Sequence, residues 1–330
     1  MPYDAGMLAA VCREVRDAVG ARCEKVYGTG REETTLLLRK AGETHRLYIN
    51  VGASTPRMFF ASSAGENPET PPSFCMLLRK HLSGALLVGC EQFGAERAAA
   101  IKFETRDEMS FPCERILIVE IMNKYSNLIL CREEGKIIGA SRVVDFTTSR
   151  LRQVLPGMTY ELPPQQNKAD IMSADRDSFY RAASTARDMP TDKFIIRSYT
   201  GISPLFSREA AFYASGRTDT ELPLCSGEKL WEMMSSLKTL LLEGEPCCPT
   251  VIYDENGKPT EFSCFDINEY GERYKKKHFD SASSAIEEFY AERGRAEMVA
   301  SRGHDIQRIL SAARRRLERK ISLLDEELVR

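Results

Sequence analysis

The chain has 330 residues, enough for two or more domains, and 42% of them are apolar, which supports a sizeable core. Its formal net charge of −2 excludes a protein that is basic throughout, though not one with a local basic patch. No apolar run is long enough to cross a bilayer, and the opening MPYDAGMLAAVCREV is broken by charge, so neither a membrane span nor a signal peptide is expected and the location implied is cytoplasmic.

Residues 4–19 keep Leu8, Val11, Val15 and Val19 on one face and predict an amphipathic helix. Strand-like runs follow at 21–28, 33–40 and 45–51, with AGET turning between the last two, and RMFFAS (57–62) reads as a further strand. PPSFCMLLRKHLSG (71–84) predicts a helix opened by prolines and closed by a left-handed Gly84. Phe74, Leu77 and Leu78 form its expected buried stripe, with Met76 beside it. Arg79, Lys80 and His81 crowd its last turn, either as a solvated face favoured by the helix dipole or as an anion site. Strand patterns resume at 85–93, 97–105, 115–122, 127–133 and 136–144, and LPGMTYELPPQQN (155–167) reads as a linker.

Residues 168 to about 245 lose the alternation and read as helices. Within FIIRSYTGISPLFSREAAFYA (194–214) one helix breaks at Thr200-Gly201 and another starts at Ser203-Pro204. This is either a helix–hairpin–helix, whose turn N–H groups suit a phosphate, or a plain helical hairpin. Residues 250–267 return to strands around Asn256-Gly257, a hairpin expected to pair back onto the first domain and so to make the helices an insertion. From 282 the pattern is helical. Ile306, Leu310, Ala313, Leu317, Leu324 and Leu328 approximate a coiled-coil seam, so a partner helix missing from this chain, from a dimer or a returning segment, is expected. Residues 271–320 hold 13 Lys and Arg against 8 Asp and Glu, densest at Arg314-Arg315-Arg316 with Arg319-Lys320: a solvated face, or a surface for RNA or a partner helix. The expected class is α+β: a mostly antiparallel β domain at 1–165, helices at 166–245, a returning β hairpin at 246–280 and the start of a coiled-coil arm at 281–330.

The ten cysteines form no Cys-x-x-Cys pair and none of the four histidines lies near such a pair, so neither a disulfide scaffold nor a metal site is expected. No P-loop, GxGxxG, HExxH or nucleophile elbow occurs, and neither enzymatic activity nor a cofactor is expected. Pro2 would be a secondary-amine nucleophile after loss of Met1. Formamidopyrimidine-type DNA glycosylases follow such a proline with glutamate and end in a four-cysteine finger. Here Tyr3 follows and the finger is missing, which leaves a DNA-binding, glycosylase-like fold without the activity as one alternative.

Several long motifs stand in one order: PPSFCMLLRKHLSG, EQFGAERAAAIKFE, IVEIMNKYSNLILC, LPGMTY and GISPLFSREAAFYA, then the coiled-coil tail. Together they resemble the N-terminal half of the NFACT family. The resemblance implies a glycosylase-like β domain, an inserted helix–hairpin–helix domain and the start of a coiled-coil arm. It implies a factor of ribosome quality control that binds the obstructed large ribosomal subunit with its peptidyl-tRNA. Such a factor recruits charged alanine tRNA and directs untemplated alanine tailing, while the ribosome makes the peptide bond. It also implies tRNA contacts at Asp4 and at Glu96-Arg97, where the family has Asp-Arg after a nearby Gln. Further candidates are Arg57, Arg79, Lys80, Lys124 and Tyr125; Asn123 stands where the family usually has glycine. Read from the residues alone, Glu96-Arg97 is a surface ion pair or an arginine fork for a phosphate or guanine edge. Tyr125 is a base-stacking ring or core, and Arg57 faces RNA or caps the fold. Family members that carry the label fibronectin- or fibrinogen-binding protein supply the other alternative, a surface adhesin.

Overall fold

Nine antiparallel strands carry most of the first half of the chain. They are β1 (Arg22–Tyr27), β2 (Glu33–Lys40), β3 (Glu43–Asn50), β4 (Arg57–Phe60), β5 (Leu86–Gln92), β6 (Ala98–Arg106), β7 (Pro112–Glu120), β8 (Asn127–Arg132) and β9 (Ile137–Ala140), in the order β4-β3-β2-β1-β5-β6-β7-β8-β9. This computed structural model describes residues 3–30, 32–63, 71–164, 167–186 and 188–291, with 310, 311, 314, 316–318 and 321 in the tail. Every strand expected from alternation forms. β1 and β5 share a single register pair, Arg22↔Leu86, so the sheet is two ladders joined at one corner. An ion pair between Arg142 and Glu32, at 2.8 Å, ties the ladders together again.

Helix α1 (Ala5–Asp17) starts at Asp4, whose carboxylate accepts from Met7 N–H at 2.9 Å as an N-cap should. The sequence predicts one apolar face, yet all residues from Ala5 to Cys12 are buried. Helix α6 (Gly227–Glu243) supplies the second cover. A Cβ on Gly6 would lie 3.2 Å from Leu240 of that helix and 2.8 Å from Cys264 Sγ.

Helix α2 (Ser73–Leu82) ends at extended Ser83 and left-handed Gly84, as its sequence implies. Its buried stripe is Cys75, Leu78 and Leu82, which keeps Leu78 from the expected set and corrects Phe74, Leu77 and Met76. Phe74 and Leu77 are only half-buried. Met76 is 52% exposed, because it stands two residues, about 200°, round the helix from Leu78. Leu77 fits over Gly139 of β9, where a Cβ would come within 2.4 Å of it.

The stretch expected as a linker is pinned to the sheet. Ile137 N–H donates to Met158 O at 2.8 Å, and Val154 joins a buried cluster with Ile118, Ile129, Cys131 and Ile137. Prolines and polar residues mark it as a linker, but Met158 and Tyr160 pack against that cluster. Four helices follow: α3 (Arg176–Thr185), α4 (Thr191–Ser198), α5 (Pro204–Ser215) and α6 (Gly227–Glu243). Phe179 centres their core, its ring 5.9 Å from Phe194 and 5.6 Å from Trp231.

The predicted hairpin becomes β10 (Thr250–Tyr253) and β11 (Pro259–Ser263). With β12 (Lys275–His278) it forms its own three-stranded sheet, order β11-β10-β12, rather than extending the nine-stranded one. It returns to the first domain by packing: the rings of Tyr3 and Phe262 lie 6.5 Å apart, edge to face. Met1–Ile286 form one compact unit, and a last helix runs from 282 to 291 within the described residues. Leu310 and Leu317 of the expected coiled-coil seam are helical and exposed, while Ile306, Ala313, Leu324 and Leu328 lie outside the described residues.

Candidate functional site

Three ionisable side chains from distant parts of the sequence meet where the β5–β6 turn approaches the starts of α1 and α5. The turn closes through Phe93 N–H to Ala98 O at 3.0 Å and Glu96 N–H to Phe93 O at 3.0 Å. Gln92 locks it to α1, with Nε2 donating to Ala5 O at 3.0 Å and to Glu96 O at 2.9 Å. Gly201, with φ +75°, lets the α4–α5 connection sit on Ala95, whose oxygen would lie 2.9 Å from any Cβ at that position. Ser203 caps α5 by accepting from Phe206 N–H at 3.1 Å. The hairpin between α4 and α5 thus presents its glycine turn to the sheet.

Arg97 is half-buried, and the charge that most favours its protonated form is Asp4, followed by Glu96. Burial works against both, lowering its pKa. Asp4 is buried, and burial pushes its carboxyl above the ordinary range. The Met7 N–H, the Ser203 hydroxyl and Arg97 pull the other way. Burial also raises Glu96, opposed by Arg97 and reinforced by the Asp170 carboxylate. The structure therefore brings Asp4, Glu96 and Arg97 together, with two carboxylates against one guanidinium. Sequence reasoning missed Ser203 and Asp170 as members of this group. It also missed the Gln92 Oε1 atom, which is buried with no hydrogen-bond partner among the described residues. The Ser203-Pro204 capping signal was visible, but not that its hydroxyl would reach Asp4.

Lys124 and Tyr125 lie close by along the backbone. Arg97 O accepts from Ile121 N–H at 2.8 Å, and the short helical turn Asn123–Tyr125 follows directly. Tyr125 is 70% exposed, with the Lys124 ammonium 5.0 Å from its ring centre, so the ring is not core. Asn123 adopts φ +51°, the left-handed conformation that a glycine would take without strain.

The remaining candidates have partners of their own. Arg79 folds back so that its Nε donates to Val26 O at 2.8 Å. Lys80 pairs with Glu108 at 2.7 Å. Burial, then the Arg115 and Lys80 charges, hold His81 below its ordinary pKa. The last turn of α2 is thus less positive than its composition suggests. Arg57 is 6% exposed, donates to Thr55 O at 2.7 Å and lies 5.2 Å from the Tyr48 ring centre.

A family model described as NFACT N-terminal and middle domains matches residues 4–330. Among curated proteins, the Rqc2 homolog RqcH of Bacillus subtilis is 29% identical over 330 residues, covering 99% of this chain and 55% of that protein. The Rqc2 homolog RqcH of Streptococcus suis is 24% identical with the same coverage. The archaeal Rqc2 homolog aRqcH of Methanocaldococcus jannaschii is 25% identical over 292 residues, 86% of this chain and 41% of that one. The chain spans about half the length of the curated relatives it matches. Among solved structures, the N-terminal part of the fibronectin/fibrinogen-binding protein from Streptococcus suis superposes with a TM-score of 0.72 at 24% identity, covering 88% of this chain and 99% of that one. The fibrinogen binding protein from Staphylococcus aureus gives the same values. At that identity these two establish the fold.

Proposed function

The chain belongs to the NFACT family, and on that premise we propose that it acts in ribosome quality control, holding a tRNA at an obstructed large ribosomal subunit. Its Rqc2-homologue relatives supply the setting. The observation that carries the reading is the Asp4–Arg97–Glu96 cluster beside the exposed Tyr125. An arginine steered by carboxylates can fork two donors onto a guanine edge. Glu96 can accept from a base amino group, and Tyr125 can stack on an unpaired base. On this reading the tRNA carries alanine, the subunit carries peptidyl-tRNA, and the outcome is an untemplated alanine tail. The ribosome forms the bond and this chain supplies position.

The test is tRNA binding by the folded chain. Pull-down with RNA sequencing is expected to enrich an alanine tRNA. Arg97→Ala is expected to weaken binding by about 5- to 150-fold, the worth of one bidentate base contact. Glu96→Asp, which restores the family's residue, is expected to bind at least as well as the parent. Arg79→Glu with Lys80→Glu is expected to flatten the salt dependence rather than change tRNA choice. Unchanged affinity in Arg97→Ala, with folding intact, would refute the reading.

A further inference from the structure

The three-stranded sheet gathers a set of side chains that the tRNA reading does not use. Its register sets Thr250 opposite Ser263 on one side and His278 on the other. Cys248 N–H donates to Cys264 O at 2.7 Å, just before β10. Cys248, Asp266 and His278 therefore emerge at one end of the sheet, from three separate segments. Cys248 Sγ lies 3.5 Å from His278 Nδ1, and Asp266 Oδ1 lies 3.6 Å from His278 Nε2. One sulfur, one ring nitrogen and one carboxylate oxygen all fall within 4.8 Å of one another.

We propose that Cys248, Asp266 and His278 bind a zinc ion, with water in the fourth position. Bond lengths of about 2.3 Å to sulfur and about 2.0–2.1 Å to nitrogen and oxygen give tetrahedral ligand separations of about 3.3–3.6 Å. The two short distances run to different ring nitrogens, so whichever nitrogen binds has one separation already of that size, and the exposed side chains close the other two from within 4.8 Å. One thiolate, one imidazole and one carboxylate form a borderline donor set that suits zinc, whereas calcium and magnesium favour oxygen alone. The competing cation is Lys276, whose ammonium sits 2.7 Å from Asp266 Oδ1. The same ammonium already reaches Asn268 Oδ1 at 2.9 Å, which gives it a second acceptor once the metal takes the carboxylate. His278 Nδ1 also lies 3.1 Å from Thr250 Oγ1. With the metal bound, whichever ring nitrogen stays free has Thr250 or solvent to engage. Binding releases the Cys248 thiol proton to solvent, so affinity rises with pH. The ion would join the three strands by bonds that no long apolar contact supplies at this exposed end.

The experiment uses the whole chain, freed of metal, and Zn²⁺ alone, with Co²⁺ as the spectroscopic probe. The parent is expected to bind one Zn²⁺ and to gain in thermal midpoint. With Co²⁺ it is expected to show a near-ultraviolet sulfur-to-metal charge-transfer band that Zn²⁺ then erases. Cys248→Ser is expected to lose the band, and both Cys248→Ser and His278→Ala to lose at least about tenfold in Zn²⁺ affinity, since disturbing even an outer-shell partner costs about 10- to 100-fold. Cys247→Ser, which alters the neighbouring thiol, is expected to keep both. Asp266→Asn serves where either ligand variant fails to fold. A parent that binds no Zn²⁺, or a Cys248→Ser variant that binds it as well as the parent, overturns the proposal.

Discussion

Replacing Gly201 by alanine tests whether the helical segment sets the position of the β5–β6 turn. The residue has φ +75°, and an added Cβ would lie 2.6 Å from Ala95 Cβ and 2.9 Å from Ala95 O. Two costs follow. Holding alanine in the left-handed conformation costs about 1–2 kcal/mol. Relieving the overlap, with backbone on one side of it, adds about 1–3 kcal/mol by comparison with overpacked cores. Gly216 separates the two. It caps α5 with φ +78° and has no atom within 4 Å of its virtual Cβ, so it pays the first cost alone. Urea unfolding can be followed through Trp231, the sole tryptophan, which packs against Phe179. Gly201→Ala is expected to lose at least about 1 kcal/mol more than Gly216→Ala. On the proposed function it is also expected to weaken tRNA binding, because Ala95 adjoins Glu96 and Arg97. Equal losses in the two variants would refute the claim that the α4–α5 turn and the β5–β6 turn brace each other.

Two further expectations test the supports of this arrangement. Arg152→Ala strands the Glu120 carboxylate, whose side chain is 1% exposed and otherwise meets Tyr160 OH at 2.8 Å, and is expected to cost about 3–5 kcal/mol in urea unfolding. A loss within experimental error would mean that the chain between 152 and 160 does not depend on that pair. Glu209 is buried and accepts from Asn268 N–H and Glu269 N–H, each at 2.9 Å, yet burial still raises its pKa above the ordinary 4.5. A carboxyl raised in the fold contributes stability that is fully present below its unfolded pKa and is lost as pH rises through the folded one. Stability of the parent measured upward from pH 4.5 is therefore expected to fall relative to Glu209→Gln; parallel profiles would show that Glu209 titrates normally.

Local pattern makes the strands legible because each is a short run rich in apolar residues bounded by turn residues, and short turns such as Ala41-Gly42 fix neighbours in sequence as neighbours in space. What local pattern lacks is the identity of the second cover. α1 reads as amphipathic from Leu8, Val11 and Val15, but its other side is buried by α6 and by Cys264, residues far along the chain. The 155–167 stretch reads as a linker because prolines and polar residues dominate it, while Met158 and Tyr160 are too few for a periodic signal and nonetheless, with Val154 just before them, complete a cluster. In α2 the density of apolar residues suggests that Met76 joins the stripe, whereas the 100° step between residues turns it away from Leu78. The separation of Cys248, Asp266 and His278 hides their convergence in the same way: metal spacing rules detect ligands on one turn, not on three separate segments.

The chosen site residues were legible in proportion to how local their roles are. Glu96 and Arg97 are adjacent, so some pairing was visible. Asp4 was assigned as a tRNA contact by family resemblance, and its capping role and its charge on Arg97 both emerge only when α1 docks beside the turn. That pairing changes the chemistry expected of the site. Two carboxylates around one guanidinium already engage its charge, which suits the site less to a phosphate than to a base edge, where donors and acceptors alternate without net charge. Phosphate contacts then fall to other cations, among them Lys124 at the neighbouring turn. It follows that the two kinds of variant should separate cleanly. Loss of Arg97 should change which tRNA is held while leaving the slope of affinity against salt nearly intact. Loss of Lys124 should reduce that slope by about one phosphate's worth, roughly 0.9 on B-form duplex and roughly 0.7 on single strands, while leaving the choice of tRNA alone. A salt slope that collapses on Arg97→Ala would mean that the guanidinium grips the backbone after all, and that Asp4 and Glu96 serve only to hold the fold.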